Sequence, residues 1–327
     1  MSSLSIIIPY FQDFENLIIC MKSIQNSYLD LDKNKKAKIE VIIVDDASKK
    51  QIKNKHLNEF SFKKIIIRHK LNKGAGAARN SGLRKSNYNF ALFLDSDVQL
   101  DRLFLKNSFL EIKKNPNKSI FSCPQSFIPG NKNPNIFQKY LAYSWFINQT
   151  RDFKKNEMVT SFCMLVKKKY FLDIGCFSEN FKSAGGEEFQ LSKSIHFNKI
   201  IRSTKLICYH FQDKFLLRIK KLIKRAQNFP SVLIKNKKIS NLTKVKFSFC
   251  AISSFCIPFF LIFSFLSSML FYIFFIFLLI LIITEKNFFI FIFKRESIFL
   301  FMSSIIFKIA EYLAILLGIL IGYVKKV

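Results

Sequence analysis

A long apolar run near the C-terminal end places the strongest constraint on this chain. Phe247–Thr284 is 38 residues long and contains no charged side chain, whereas one membrane-spanning helix needs ~20 apolar residues. The run is too long for a single straight crossing and predicts a tight two-helix hairpin. Ser297–Tyr323 is a further apolar segment, and its Lys308 and Glu311 are three residues apart, so we expect them to pair on one helix face. Two to three membrane-spanning helices are predicted.

Charge divides the chain at the same place. Residues 1–246 contain 46 Lys and Arg against 19 Asp and Glu, while the remainder contains 6 against 3. Within the first part, Asp213–Phe229 has the pattern of a basic amphipathic helix. A polybasic segment before an apolar run favours an anionic lipid surface, at roughly 1 kcal/mol per basic residue, and predicts a multi-pass membrane protein whose preceding domain is cytoplasmic. A surface helix packed on the domain is the alternative for Asp213–Phe229.

The formal charge of +30 raises the question of nucleic acid as a partner. The sequence has no signature of a nucleic-acid-binding module, so no nucleic acid is expected to bind. The seven cysteines form no CxxC pair and no spacing of a metal site, which favours buried free thiols in a reducing compartment. These observations predict three parts, which are an α/β domain over residues 1–212, a basic amphipathic juxtamembrane segment over 213–246 and a membrane region over 247–327.

Short apolar runs alternate with helical patterns in the first part of the chain. This alternation predicts an α/β fold with a doubly wound, mostly parallel sheet that binds ligands at the carboxyl ends of its strands. The predicted strands are Ser5–Pro9, Ile39–Val44, Lys64–Arg68, Phe90–Leu94, Ser119–Cys123, Val159–Val166 and Ile200–Cys208. The predicted helices are Glu15–Ser27, Gly76–Lys85, Asp101–Lys114 and Gln138–Thr150.

Two polar segments follow predicted strands in the first hundred residues. Asp45 and Asp46 come directly after the four apolar residues Val41–Val44 and are not both expected in a core, so they mark the open sheet edge. There they either accept hydrogen bonds from a nucleotide or form a turn or helix cap. Asn72–Gly82 contains three of the nine glycines and suits close approach of a phosphate, with Arg79 facing negative charge. It lacks the GxGxxG fingerprint of dinucleotide-binding folds, and a plain helix start is the alternative.

Two further segments carry paired carboxylates. Asp95 and Asp97 follow the strand Phe90–Leu94 and point to the same side, where two carboxylates can hold a divalent cation such as Mn²⁺ or Mg²⁺. Glu187 and Glu188 follow two glycines at a predicted helix start, and one of them is a candidate general base. The helix dipole also favours glutamates there without any function. His210 is either a further metal or phosphate contact or a surface histidine.

Taken in order from about Leu4 to His210, these segments resemble the family 2 glycosyltransferases of the GT-A fold. The start Ser5-Ile6-Ile7-Ile8-Pro9-Tyr10 and the stretch Gly175-Cys176-Phe177-Ser178-Glu179 fit the same pattern. The resemblance implies a nucleotide-sugar donor and a divalent cation. The donor-binding residues that it implies are Pro9, Phe11, Asp45, Asp46, Arg79 and Asp95. The metal residues that it implies are Asp95, Asp97 and His210, and the catalytic ones are Glu188 in the base position with Glu187 beside it.

Two departures from the family pattern bear on function. Glu187-Glu188 stands where the family usually has Glu-Asp, which adds one methylene to the base. The only tryptophan, Trp145, does not lie in the Arg/Gln-x-x-Arg-Trp motif of processive synthases, so repeated chain extension is not expected. We expect an inverting, non-processive transfer to a hydroxyl of a lipid-linked or cell-surface glycan. The alternatives are a polyprenyl-phosphate sugar synthase and a non-catalytic basic membrane scaffold.

Overall fold

A computed structural model describes residues 3–36, 38–150, 159–179, 187–227 and 241–324. The chain divides into two compact units. The first consists of Met1–Asn131 and Asn148–Phe211, and the second of Lys132–Ile147 and Gln212–Val327. The predicted boundaries after residues 212 and 246 stay predictions. Gly185, Gly186 and residues 228–240 of the basic segment lie outside the described residues.

The first unit is a mixed sheet flanked by helices, which confirms the predicted fold class. Its seven-stranded sheet has the order β3-β2-β1-β4-β7-β6-β8, and β5 pairs with β9 in a second, two-stranded sheet. The strands are β1 Leu4–Tyr10, β2 Ile39–Asp45, β3 Lys63–Arg68, β4 Phe90–Leu94, β5 Val98–Leu100, β6 Ile120–Ser122, β7 Cys163–Lys167, β8 Ile200–Arg202 and β9 Cys208–His210. The helices are α1 Phe14–Leu29, α2 Lys33–Lys36, α3 Ala75–Lys85, α4 Phe104–Lys114, α6 Lys168–Asp173 and α7 Glu187–Ser194.

The central strands of the sheet are mostly apolar and lie in the core. All seven residues of β2 are buried, as expected for a parallel strand covered by helices on both faces. The strands β3, β2, β1 and β4 run parallel, and β7 runs antiparallel to both β4 and β6. Helix α3 packs tightly on β1, because a Cβ at Gly82 would collide with the side chain of Ile7. Because β1 pairs in parallel with both β2 and β4, the carboxyl ends of these three strands lie side by side at one edge of the sheet.

One strand prediction is wrong. Ile200–Cys208 was expected to be continuous, but the structure contains β8 and β9 in two different sheets. A turn separates them, since the Leu206 N–H donates to the carbonyl of Ser203 at 3.3 Å. Arg202 ends β8, and the polar residues Ser203, Thr204 and Lys205 interrupt the apolar run at that turn.

The second unit is helical. Its helices are α5 Ile136–Thr150, α8 Phe215–Ala226, α9 Asn241–Phe263, α10 Ser268–Thr284, α11 Lys286–Arg295 and α12 Ile298–Val324. The expected hairpin within Phe247–Thr284 is confirmed, because α9 and α10 pack against each other. Two stretches, Phe247–Leu266 and Ile298–Val324, are long and apolar enough to cross a membrane, and α10 with α11, bent by 85°, would make a third candidate.

Two expectations for the second unit are corrected. The apolar face of the basic helix α8 packs against α12, since a Cβ at Gly318 would lie 2.6 Å from that of Ala226. Protein therefore covers the face that was expected to meet lipid. Lys308 and Glu311 have different partners rather than each other. Lys308 Nζ donates to Ser144 Oγ at 3.0 Å, and Glu311 Oε1 accepts from Arg218 Nε at 2.9 Å.

The buried carboxylate of Glu40 stabilises the edge of the sheet opposite the candidate site. Glu40 is the second residue of β2. It accepts hydrogen bonds from Ser5 Oγ at 2.7 Å, the Asn87 N–H at 2.7 Å and Lys63 Nζ at 3.1 Å. Burial alone would raise the pKa of Glu40, but the hydrogen bonds from Asn87, Ser5 and Lys63 outweigh it and hold the pKa below its usual range. The ionised carboxylate is thus part of the folded structure.

We expect Glu40→Gln to lower the free energy of unfolding by about 1–3 kcal/mol, because an amide would turn a donor toward the donors of Asn87. Thermal unfolding of the full chain in detergent would measure the change. The exposed Glu59 provides the matched control, since Glu59→Gln should change stability by less than about 0.5 kcal/mol. Equal effects of the two substitutions would contradict this role for Glu40.

Candidate active site

The carboxyl ends of β1 and β2 form one side of the candidate site. In the sheet register Tyr10 lies beside Asp45, and the Asp46 N–H donates to the Tyr10 carbonyl at 2.9 Å. Pro9 lies within β1, and the next turn leaves Phe11 47% exposed. An exposed aromatic ring beside two carboxylates is suited to contact with a flat polar ring. The predicted donor residues Pro9, Phe11, Asp45 and Asp46 are therefore brought together.

Asp45 and Asp46 are both buried and have separate structural partners. Asp45 pairs with Arg68, and its Oδ1 accepts from the Ser48 N–H at 2.8 Å. These contacts fix the turn that follows β2. Asp45 is fully shielded from solvent, so it acts on anything in the site through the shape of that turn.

Asp46 holds the glycine-rich entry to α3. Its two carboxylate oxygens accept from the Lys73 N–H at 2.9 Å and the Gly74 N–H at 2.8 Å. A ring nitrogen of His69 lies 2.7 Å from the same carboxylate. Gly74 has φ +90°, a conformation that favours glycine. The position of this loop thus depends on one side chain, and His69 is a contributor that the sequence did not indicate.

Arg79 connects α3 to the end of β4. Its guanidinium donates to Asp95 Oδ1 at 2.5 Å and lies 5.4 Å from the ring centroid of Phe177. Arg79 is 3% exposed, whereas the Asp95 side chain keeps 27% of its surface in solvent. A buried cation therefore orients a partly exposed carboxylate toward the site.

Asp97 and His210 meet through the pairing of β5 with β9, which places Val98 opposite His210. His210 Nε2 lies 3.7 Å from Asp97 Oδ1, and both side chains are partly exposed. An oxygen and a nitrogen donor at this separation suit a divalent transition-metal ion. In the part of the chain that the structure describes, no group of three or more His, Cys, Asp or Glu side chains is arranged to hold a metal.

Glu188 approaches the same region from α7. Its Oε1 accepts from the Ser161 N–H at 2.5 Å and from Ser161 Oγ at 2.6 Å. The adjoining Phe162 carbonyl accepts from the Asp95 N–H at 2.8 Å, and the Phe162 ring lies 5.5 Å from that of His210. The dipeptide Ser161-Phe162 therefore contacts Glu188, Asp95 and His210. The side chain of Glu187 lies outside the described residues.

The stretch after Ile174 is tied to α3. Gly175 and Cys176 both have positive φ, at +90° and +62°. Asn80 Nδ2 then donates to the Phe177 carbonyl at 2.8 Å and to Glu179 Oε1 at 2.9 Å. The hydrogen bond from Asn80, with help from Arg84, holds the pKa of Glu179 below its usual range. This carboxylate is thus kept ionised beside α3.

Residues 5–175 match the model of glycosyl transferase family 2. The chain belongs to glycosyl transferase family 2. An uncharacterized glycosyltransferase of Haemophilus influenzae is 28% identical over 188 residues, which are 58% of this chain and 60% of that protein. The chain thus matches less than two thirds of the length of this relative.

Solved structures share the fold of this family 2 member at low sequence identity. The mannosyltransferase PcManGT from Pyrobaculum calidifontis, in complex with GDP-Man and Mn²⁺, is 13% identical with a TM-score of 0.57, and the match covers 98% of this chain and 87% of that chain. S. aureus TarS residues 1–349, in complex with UDP, is 18% identical with a TM-score of 0.50, and the match covers 75% and 69%. The first comparison extends the structural similarity through the C-terminal helices.

We predict that Asp46→Asn loosens the entry to α3 in this family 2 member, because an amide offers one acceptor oxygen where the carboxylate offers two. Hydrogen exchange followed by mass spectrometry should show about 5- to 50-fold faster exchange in peptides that contain Lys73 and Gly74. In the control Asp13→Asn, which alters the cap of α1, faster exchange should be confined to the first turn of that helix. Unchanged exchange at Lys73 and Gly74 would show that Asp46 does not hold this loop.

Proposed function

We propose that this chain is an inverting glycosyltransferase that moves a sugar from a nucleotide-sugar donor to an acceptor hydroxyl. The observation that carries the proposal is the meeting of Asp95, His210 and Glu188 on the dipeptide Ser161-Phe162. The Arg79 guanidinium, the pair Asp97 and His210, and the Glu188 carboxylate are thus held around one edge of the sheet. Family membership supports the same reaction.

On the donor side, Phe11 and Pro9 flank the nucleobase. Asp45 fixes the turn after β2. Asp46 holds the entry to α3 through the Lys73 and Gly74 N–H groups, so that this entry lies beside the path of the diphosphate. Arg79 holds Asp95 toward the ribose. Asp97 and His210 provide the donors for a divalent cation, and when bound such an ion neutralises charge on the leaving diphosphate.

On the acceptor side, Glu188 removes the hydroxyl proton as that oxygen attacks the anomeric carbon on the face opposite the diphosphate. The two hydrogen bonds from Ser161 hold one carboxylate oxygen in place. A positioned base of this kind contributes about 10²- to 10⁴-fold to the rate. Glu187 adjoins it in the chain.

The acceptor is a lipid-linked or cell-surface glycan, and the enzyme works at the cytoplasmic face of a membrane with anionic lipid. The apolar helices of the second unit support this location. The face of α8 that α12 leaves uncovered also supports it, because the exposed Leu216 and Leu217 lie there beside Lys220 and Lys224. Basic and apolar side chains on one exposed helix face are typical of an interfacial segment.

The central test uses membranes that contain the full chain and a panel of nucleotide sugars, read by release of free nucleotide. We expect divalent-cation-dependent transfer, with Asp97→Ala and Glu188→Ala each lowering kcat at least about 100-fold. Glu59→Ala, at an exposed site, is the control. Full activity in both site variants would contradict the proposed roles of Asp97 and Glu188. Activity retained in Glu188→Ala but lost in Asp97→Ala would instead identify an acceptor phosphate, which needs little base catalysis.

A second prediction concerns Ser161, which touches the base and not the sugar. Ser161→Ala should lower kcat about 10-fold while the KM for the donor stays within about twofold, because one of the two hydrogen bonds to Glu188 is lost. Ser161→Thr keeps the hydroxyl and should restore most of the rate. A purely structural role would instead lower the amount of folded protein and affect both parameters, which thermal unfolding of both variants would reveal.

A further inference from the structure

The membrane region contains two apolar elements, the hairpin α9–α10 and the helix α12. Length and composition qualify both Phe247–Leu266 in the hairpin and Ile298–Val324 as crossings. We propose that only the hairpin crosses the bilayer and that α12 lies along the membrane surface. The C-terminal end of α12 then stays on the same side as α8. This inference concerns the lipid-facing surface and is independent of the chemistry at the candidate active site.

The direction of α12 follows from its neighbour α11. The axis of α11 is turned by 85° from that of α10. Helix α12 runs back alongside α11, because the Phe301 ring lies 5.6 Å from Phe293 while Lys308 Nζ lies 4.6 Å from the ring of Phe288. Because these two contacts lie near opposite ends of α11 and occur in reverse order along α12, the two helices are antiparallel. If α10 stands along the membrane normal, α11 and the adjoining part of α12 therefore lie near the membrane plane.

The C-terminal half of α12 is covered by a helix that cannot enter hydrocarbon. Glu311 pairs with Arg218 of α8 at 2.9 Å, and a Cβ at Gly318 would lie 2.5 Å from the Ile223 carbonyl oxygen. Arg218 meets Glu311 and, further along both helices, Ile223 meets Gly318. The two helices therefore run parallel, and α8 lies beside α12 for most of the length of α8. The face of α8 that points away from α12 exposes four cations, namely Lys214, Lys220, Lys224 and Arg225.

A crossing by α12 would carry those cations into the bilayer core. Lys and Arg are among the least favourable side chains at the centre of a membrane. In the surface arrangement the same cations reach water and anionic headgroups, where each is favourable. The charges therefore decide between the two arrangements of α12, although its composition alone permits either.

Side chains within α12 support the same arrangement. Lys308 and Glu311, both more than nine-tenths buried, occupy its middle. Lys308 Nζ lies 3.9 Å from Glu285, so each buried charge has an oppositely charged partner inside the protein. The exposed large apolar side chains lie on one side of the helix, because their positions fall within about one third of a turn at 100° per residue. They are Ile298, Phe299, Met302, Ile306, Leu317, Leu320, Tyr323 and Val324.

The hairpin differs from α12 in its charge. It exposes large apolar side chains along both helices, as at Phe255, Ile262, Met269 and Tyr272, and it contains no charged residue from Phe247 to Thr284. The apolar stretch Phe247–Leu266 is 20 residues long, which corresponds to about 30 Å of helix. This length matches the hydrocarbon thickness of a bilayer. The hairpin thus has both the reach and the lipid-facing surface of a crossing element.

The topology can be tested with three versions of the full chain, each carrying one epitope in a bacterial host. The epitope is placed at the N-terminus, between Leu266 and Ser267 at the hairpin tip, or after Val327. We expect external protease on spheroplasts to remove only the tip epitope, and to remove all three after lysis. Removal of the C-terminal epitope while the N-terminal one is protected would mean that α12 crosses and would overturn the proposal.

Two other outcomes are also decisive. Protection of all three epitopes would show that the hairpin does not cross, which overturns the proposal. Removal of the N- and C-terminal epitopes with protection of the tip would uphold the hairpin but place the sugar-transferring unit outside the cytoplasm. That result would refute the cytoplasmic location under the proposed function and leave this inference intact.

A matched pair of substitutions gives an independent readout. Phe255 in α9 and Ile306 in α12 are exposed to similar extents, 62% and 66%. Phe255→Lys should lower the amount of membrane-inserted protein about tenfold, because the cation falls within the bilayer. Ile306→Lys should stay within about twofold, because its ammonium reaches the headgroups. Equal losses would mean that both helices cross.

Discussion

The antiparallel pairing of β7 with β4 is the constraint on which the candidate site depends. The pairing sets Leu94 opposite Cys163, and one residue beyond it the Asp95 N–H donates to the Phe162 carbonyl at 2.8 Å. Because the start of β7 is fixed there, Ser161 is available to Glu188 and the Phe162 ring to His210. Residues far apart in the chain are thus placed by a single backbone contact.

Burial separates the carboxylates of this edge into two kinds. Asp45 and Asp46 are almost fully buried and satisfied by Arg68 and by backbone amides, since an unsatisfied buried charge would cost several kcal/mol. Asp95 and Asp97 keep 27% and 37% of their side chains exposed. Burial, together with the negative charges of Asp97 and Asp95, raises the pKa of the Cys20 thiol behind them. The same negative field favours a cation at the exposed carboxylates.

Most of the fold could be predicted from the sequence because its signals are local. The strand Phe90–Leu94 is as expected, and the helix expected over Gly76–Lys85 begins one residue earlier, at Ala75, since apolar period and turn residues specify both. Ser161 could not be predicted, because its role depends on a contact with Glu188 across 27 residues. His69 was missed for the same reason. The continuous strand expected over Ile200–Cys208 is wrong because the polar residues Ser203, Thr204 and Lys205 form a turn within it rather than an exposed strand face.

The arrangement proposed for α12 explains how apolar composition can overcount membrane crossings. Phe247–Leu266 and Ile298–Val324 both qualify as crossings by length and composition, yet their surroundings differ. The first packs mainly against the second arm of its own hairpin, while the second buries Lys308 and Glu311 among Ser144, Tyr140 and Arg218. A helix covered by protein on one side and by lipid on the other needs apolar residues on both faces. Its hydropathy then matches that of a crossing helix, and only the charges on its neighbours distinguish the two.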